Sequence, residues 1–142
     1  MGRLYLYYKK HNNSMLGDVL KVKIDERITT EILANEVYEQ NFDDGVHNIK
    51  MYFEGWTKDQ LVGYVDRDIA INGNTYYIYK PPSTLVWKGK LVKADYNSPE
   101  EFNKKVNTMN KKHKISDLIF ITIFLMFIVL SILYYIYLLI KN

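Results

Sequence analysis

The chain has 142 residues, 19 Lys or Arg against 16 Asp or Glu, a formal charge of +3 and no cysteine. The missing thiols exclude a disulfide scaffold and thiolate-held metal, and the length left once a hydrophobic C-terminal stretch is set aside suits one soluble domain, not two. Residues 1–98 balance 13 basic against 13 acidic side chains, so the surplus lies beyond them and nucleic acid is not the expected partner of a neutral module.

Over residues 3–92, apolar and polar side chains alternate with period two between short runs of Asn, Asp and Gly, which predicts a meander of short strands. Leu4 to Tyr8 reads as the first strand, followed by a polar loop from Lys9 to Ser14. In the next, Leu20, Val22 and Ile24 alternate with Lys21 and Lys23, giving one dry and one wet face. Asp25-Glu26 makes a turn, Ile28 to Leu33 and Val37 to Phe42 are two strands broken at Ala34-Asn35, and Asp43-Asp44-Gly45 turns the chain into Val46 to Phe53.

Beyond the loop from Glu54 to Gln60, two short pieces, Leu61 to Val65 and Ile69 to Ile71, lead to Asn72-Gly73, the strongest short-range hairpin signal. The return strand Thr75 to Tyr79 stops at Pro81-Pro82, which cannot donate to a ladder. Leu85 to Trp87 and Lys90 to Val92 form a last edge around Gly89. About eight strands in under a hundred residues predict a compact antiparallel β-sandwich or open barrel, a mainly β class, over residues 1–97.

Helix begins at Ser98-Pro99-Glu100-Glu101, where the Ser98 hydroxyl caps the helix and Glu101 reaches back to complete the box. Phe102, Val106, Met109 and His113 then recur at helical spacing, so residues 98–115 read as an amphipathic juxtamembrane stalk. It packs on its own domain, lies on the bilayer or pairs with another stalk in a homo-oligomer. From Leu118 to Ile140, 23 consecutive positions carry no charge; as a helix of about 34 Å they would cross a hydrocarbon core of about 30 Å. Residues 116–142 are thus expected to be a single-pass tail anchor whose partner is membrane lipid.

Lys104, Lys105, Lys111, Lys112 and Lys114 precede this span and only Lys141 follows it, which predicts a cytoplasmic N-terminal module at the cell membrane. The same lysines would attract anionic lipid. Tyr134, Tyr135 and Tyr137 suit an aromatic belt at the far interface. The opening residues have too short an apolar run for a signal peptide, and Leu6 stands where a myristoylation motif needs Ser or Thr.

Signals for chemistry are sparse. His47 follows Asp43-Asp44-Gly45 and by parity shares the face of Ile49, Met51 and Phe53, where a lone histidine is more often a hydrogen-bonded turn or core residue than a catalyst. His11 and His113 lie in a loop and the stalk, and no histidine pair has metal-site spacing. Asp66 and Asp68 share a side of an extended segment, with Arg67 on the other, as on many wet strand faces. Glycine spacing makes no phosphate loop, no serine sits in a nucleophile elbow, and no cofactor is expected. Trp56, Trp87 and 13 tyrosines supply aromatics for a core or a binding face.

The run Val22-Lys23-Ile24-Asp25, a turn with two short strands, and then Asp44-Gly45-Val46-His47-Asn48-Ile49 resembles the small PEGA-like β-sandwich modules of bacteria, over residues 19–53. That resemblance implies a binding or structural appendage and gives Gly45 and His47 a structural role in the turn. Asp44 stands where such modules often have proline. Abundant Lys, Asn, Ile and Tyr agree with a bacterial, AT-rich source. Together these readings predict a non-enzymatic module that binds a membrane-protein partner, with a small ligand or lipid headgroup as the alternative.

Overall fold

The structure, a computed structural model, describes residues 1–10, 17–55, 60–82 and 88–141, with side chains as far as residue 137. Leu85 to Trp87, Trp56, His11 and most of the polar loop from Lys9 to Ser14 fall outside the described residues. The elements are β1 (Gly2–Tyr8), β2 (Val19–Ile24), β3 (Ile28–Leu33), β4 (Val37–Phe42), β5 (Gly45–Glu54), β6 (Leu61–Ile71), β7 (Asn74–Lys80), β8 (Lys90–Ala94) and α1 (Pro99–Lys141). The strands form two four-stranded sheets, β4-β1-β7-β8 and β3-β2-β5-β6. The chain is therefore mainly β, in two sheets, followed by one long helix.

One buried cluster holds the sheets together. Leu4, Leu6 and Tyr8 of β1 meet Leu20, Val22 and Ile24 of β2 and Ile49, Met51 and Phe53 of β5. These are the period-two positions of each strand, so the wet-dry alternation of the sequence decides which faces meet.

The connectivity departs from a meander. Only β2–β3, β5–β6 and β7–β8 pair with their chain neighbours, and β1 pairs in parallel with β7, Leu4 opposite Thr75 and Leu6 opposite Tyr77. The antiparallel expectation thus fails at the centre of one sheet. Every residue from Leu4 to Tyr8 is buried, and a strand that is apolar on both faces suits a central position, where parallel pairing is accommodated.

Asn72-Gly73 does turn the chain, with Gly73 at φ +61°, but it carries the chain from one sheet to the other and makes no hairpin. Pairing with β1 recruits β7, and Gly73 O accepts from the Arg3 amide at 2.9 Å. The two pieces expected between Leu61 and Ile71 are one strand, because Asp66 and Asp68 lie on a solvated face opposite Lys50 and Asn48 of β5; the ladder shifts register only between Met51 and Phe53.

Two devices finish this unit. At the β6/β8 side, the buried Tyr79 hydroxyl donates to Gly63 O at 2.6 Å, Arg67 Nη1 donates to Leu91 O at 3.2 Å, and Gly63 has φ +68°. A Cβ on Gly89 would lie 2.4 Å from Gly63 O, so both glycines are needed for this close approach. On the outer face of the first sheet, Tyr5 stacks on Tyr76 at 5.1 Å, and Phe102 from the start of α1 lies 5.1 Å from Tyr76 and 5.4 Å from Tyr96.

This compact unit runs from Met1 to Val106, so it takes in the first two turns of α1. Phe102 and Val106 are buried there; over these two residues the stalk face packs on its own domain. The second unit, Asn107–Asn142, holds the rest of the helix.

Candidate functional site

Of the titratable residues singled out by sequence, Asp25, Glu26, Asp43 and His47 gather at the turns of β2–β3 and β4–β5. Asp25 and Glu26 both adopt left-handed backbone, φ +51° and +56°, and Arg27 N donates to Ile24 O at 3.1 Å. Two consecutive positive φ values mark the handedness of a type I′ turn, which prefers Asn-Gly. Side-chain bonds run from both turn residues to β5. The Asp25 carboxylate accepts from Nδ1 of His47 at 2.7 Å and from the Asn48 amide at 2.9 Å, and Glu26 pairs with Lys50.

His47 Nε2 lies 2.9 Å from the carbonyl oxygen of Asp43, and its ring rests against Phe42 with centroids 5.3 Å apart. A carboxylate and a carbonyl can only accept, so both ring nitrogens are best satisfied as donors, in the imidazolium form. The Asp25 hydrogen bond, supported by that to Asp43, raises the His47 pKa, and the His47 bond lowers that of Asp25. His47 thereby ties two turns together. It shares the parity of Ile49 and Met51, but its ring lies at the end of the sheet. Gly45, at φ +155°, opens β5 with nothing within 4 Å of where a Cβ would sit.

Outside the core, the second sheet presents a polar ladder. Asn48 Nδ2 donates to Asp66 at 3.1 Å and Asp68 at 3.0 Å, and the Tyr64 hydroxyl donates to Asp66 at 2.9 Å. These bonds, Asn48 first, depress the Asp66 pKa and hold it ionised, which suits an acceptor and not a proton donor. Asp66 and Asp68 do share a face while Arg67 reaches the other sheet. Further along, a cleft is lined by Asp18, Lys21, Glu31 and Glu54, where Lys21 pairs with Glu54 at 2.5 Å and Glu31 at 3.9 Å and Asp18 pairs with Lys10, so acidic charge stays in excess over the single lysine of the lining.

At the helix start, the Glu101 amide donates to Ser98 Oγ at 3.2 Å, as a capping box requires. Glu101 Oε2 reaches one residue further back than expected, to the Asn97 amide at 3.0 Å. Lys104, Lys105, Lys111, Lys112 and Lys114 are all exposed, and His113 lies 3.6 Å from Asp117 on the next turn.

The second unit contains a helix long and apolar enough to cross a membrane. Its best window has a mean hydropathy of 2.7 and none of it is buried. Thr122 and Ser131 donate to the carbonyls of Leu118 and Phe127, four residues back, at 2.9 and 2.8 Å, which satisfies hydroxyls that hydrocarbon would leave stranded.

The sequence reading left His47 as a hydrogen-bonded core or turn residue, with a turn role implied only by the PEGA-like resemblance, and missed its acceptors, Asp25 and the Asp43 carbonyl. It also missed the Asn48 bridge. A signal existed: Asp25 and His47 both flank turns, on strands whose apolar faces match. Among the described residues, no group of three or more His, Cys, Asp or Glu is arranged to hold a metal ion. Fold and site define a two-sheet β unit, laced at its turns by ion pairs, in a chain with one membrane-length apolar helix. Compared with known proteins, the chain matches no family model, no curated protein and no solved structure.

Proposed function

We propose that the chain is a single-pass protein of the cell membrane whose β module faces the cytoplasm and docks, without catalysis, onto another membrane protein as an accessory subunit. The observation that carries this reading is the unburied apolar helix with both hydroxyls bonded to its own backbone. Five exposed lysines before the span and Lys141 after it support the orientation. The polar groups of the β unit support a binding role, because His47, Asp25 and Lys50 are engaged in holding turns. The likeness of residues 19–53 to PEGA-like modules points the same way. Anchoring makes encounters within the membrane nearly intramolecular, so modest contacts suffice.

Co-purification of the full chain from mild detergent is expected to yield a different polypeptide in fixed stoichiometry, and recovery free of any other protein overturns the docking reading. Protease protection in whole cells and inverted vesicles checks the orientation. The exposed lysines also favour a second reading, lipid-headgroup binding. It requires salt-sensitive flotation of fragment 1–114 with anionic liposomes, lost when Lys111, Lys112 and Lys114 are neutralised.

A further inference from the structure

The two edges of the sheet β3-β2-β5-β6 end differently. The β6 edge is drawn to the other sheet through Arg67 and a bridge between Tyr64 and Lys88. The β3 edge has no described neighbour on its outer side. Edge strands in soluble proteins are usually blunted by lysine, proline or a bulge. β3, Ile-Thr-Thr-Glu-Ile-Leu, has none of these and pairs with β2 in unbroken register from Val19–Leu33 to Ile24–Ile28.

Charge on the outer face of the sheet is incomplete beside this edge. Lys21 and Lys50 each have carboxylate partners, Glu31 and Glu54 for one, Glu26 and Asp66 for the other. Lys23 sits directly opposite Lys50 on β5 and opposite Thr29 on β3. Among the described residues it has no ion pair, and like charges placed directly opposite destabilise a sheet.

We infer that β3 is a self-pairing edge, at which a second copy of this chain adds its own β3 antiparallel and continues the sheet across a two-fold axis. Residues directly opposite in an antiparallel pair share a face, so only same-parity registers keep the apolar side of both strands aligned. Four such registers pair at least three residues of β3, centred on Thr29, Thr30, Glu31 and Ile32, and the one centred on Ile32 pairs only Glu31 to Leu33. The one centred on Glu31 sets two glutamates against each other. The one centred on Thr29 pairs only Ile28 to Thr30 within β3. The one centred on Thr30 pairs five strand residues, with Ile28 opposite Ile32 and Thr29 opposite Glu31 of the second copy. That placement brings Glu31 of one copy next to Thr29, and so within side-chain reach of Lys23, the cation left unmatched. The two-fold supplies the same pairing twice, as an isologous interface must. The pairing draws on the anchored reading for local concentration alone.

The absence of cysteine makes the test direct. Full-length T30C, reconstituted in liposomes and mildly oxidised, is expected to form a disulfide-linked dimer at least tenfold faster than T29C or E31C alone. Mixing T29C chains with E31C chains restores cross-linking, and this mixture also serves if T30C folds poorly. A T30C rate no greater than that of T29C, or no cross-link in the mixture, overturns the self-pairing. Only vesicle-bound protein is scored; protein that does not sediment with vesicles reports failure of the anchor instead, and in that case the same mixture is oxidised at high concentration in solution and judged by the same rates.

Discussion

Nδ1 of His47 lies 2.7 Å from Oδ2 of Asp25, although 22 residues separate them. The contact closes a circuit. Asp25 opens the left-handed β2–β3 turn, His47 is the third residue of β5, and the other ring nitrogen faces the carbonyl of Asp43 in the β4–β5 turn. Arg27 also acts on Asp25, and Asp43 on His47, through their charges. One side chain thus joins three segments at one end of the sandwich, and its charge state sets the strength of that junction.

Stability of the β unit is therefore expected to depend on pH through this pair. The raised His47 pKa means that its contribution is complete below about pH 6.5 and is lost as pH rises through the folded value. The lowered Asp25 pKa means that its share is complete above about pH 4 and is lost as pH falls. Denaturant unfolding followed by tyrosine fluorescence should show a plateau between those limits. H47Q should flatten the alkaline limb and lower stability by about 1 kcal/mol, discounted for the solvent exposure of Asp25. A His47 ring titrating in NMR at or below about 6.5 would refute the pairing.

E26G should stabilise the protein. Glu26 holds left-handed backbone that costs a non-glycine residue about 1 kcal/mol, while its bond to Lys50 is exposed and contributes little. D25G should do the opposite, because the Asp25 carboxylate carries bonds to His47 and Asn48. Thermal midpoints of the two variants, compared side by side, decide between backbone strain and ion pairing as the larger effect.

At the β6/β8 side, Y79F removes a buried hydroxyl and leaves Gly63 O unsatisfied, an expected loss of about 1–3 kcal/mol. G89A should be worse, since its methyl would press on Gly63 O and the Tyr79 hydroxyl. Amide hydrogen exchange should then rise in β6 and β8 before β2 and β3.

F102A empties the aromatic layer formed with Tyr5, Tyr76 and Tyr96, and should lower stability by about 3–5 kcal/mol. K105A, on an exposed position of the same helix, should stay within about 0.5 kcal/mol of the parent. Equal effects in urea unfolding would mean that the helix start does not pack on the sheet.

V129K places a charge near the middle of the apolar run, where insertion costs about 2.5–3.5 kcal/mol more. Its membrane fraction after alkaline carbonate washing should fall well below that of the parent and of V129L. Retention equal to V129L would show that Leu118 to Ile140 does not enter hydrocarbon.

The lesson of comparing sequence with fold is uneven. Period-two alternation in β2 and β5 exposed both the strands and their buried faces, because burial of one face acts locally on every second residue. The Ser98 cap and the apolar helix were equally legible, being set by hydrogen bonds and transfer energies along a single segment. Leu4 to Tyr8, apolar at every position, already hinted at a strand covered on both sides. Which strand would lie beside it was not written locally: Asn72-Gly73 would have closed a hairpin in isolation, yet pairing of β1 with β7 overrode it. Likewise the neighbours of His47 left core and turn both open, and its protonation and its grip on Asp25 exist only once β2 and β5 pair. Short-range forces acting within each segment determined the elements themselves. Sheet order, the sealed and open edges, and the paired charges were decided by tertiary structure, because each depends on contacts between residues that the chain brings together only when it folds.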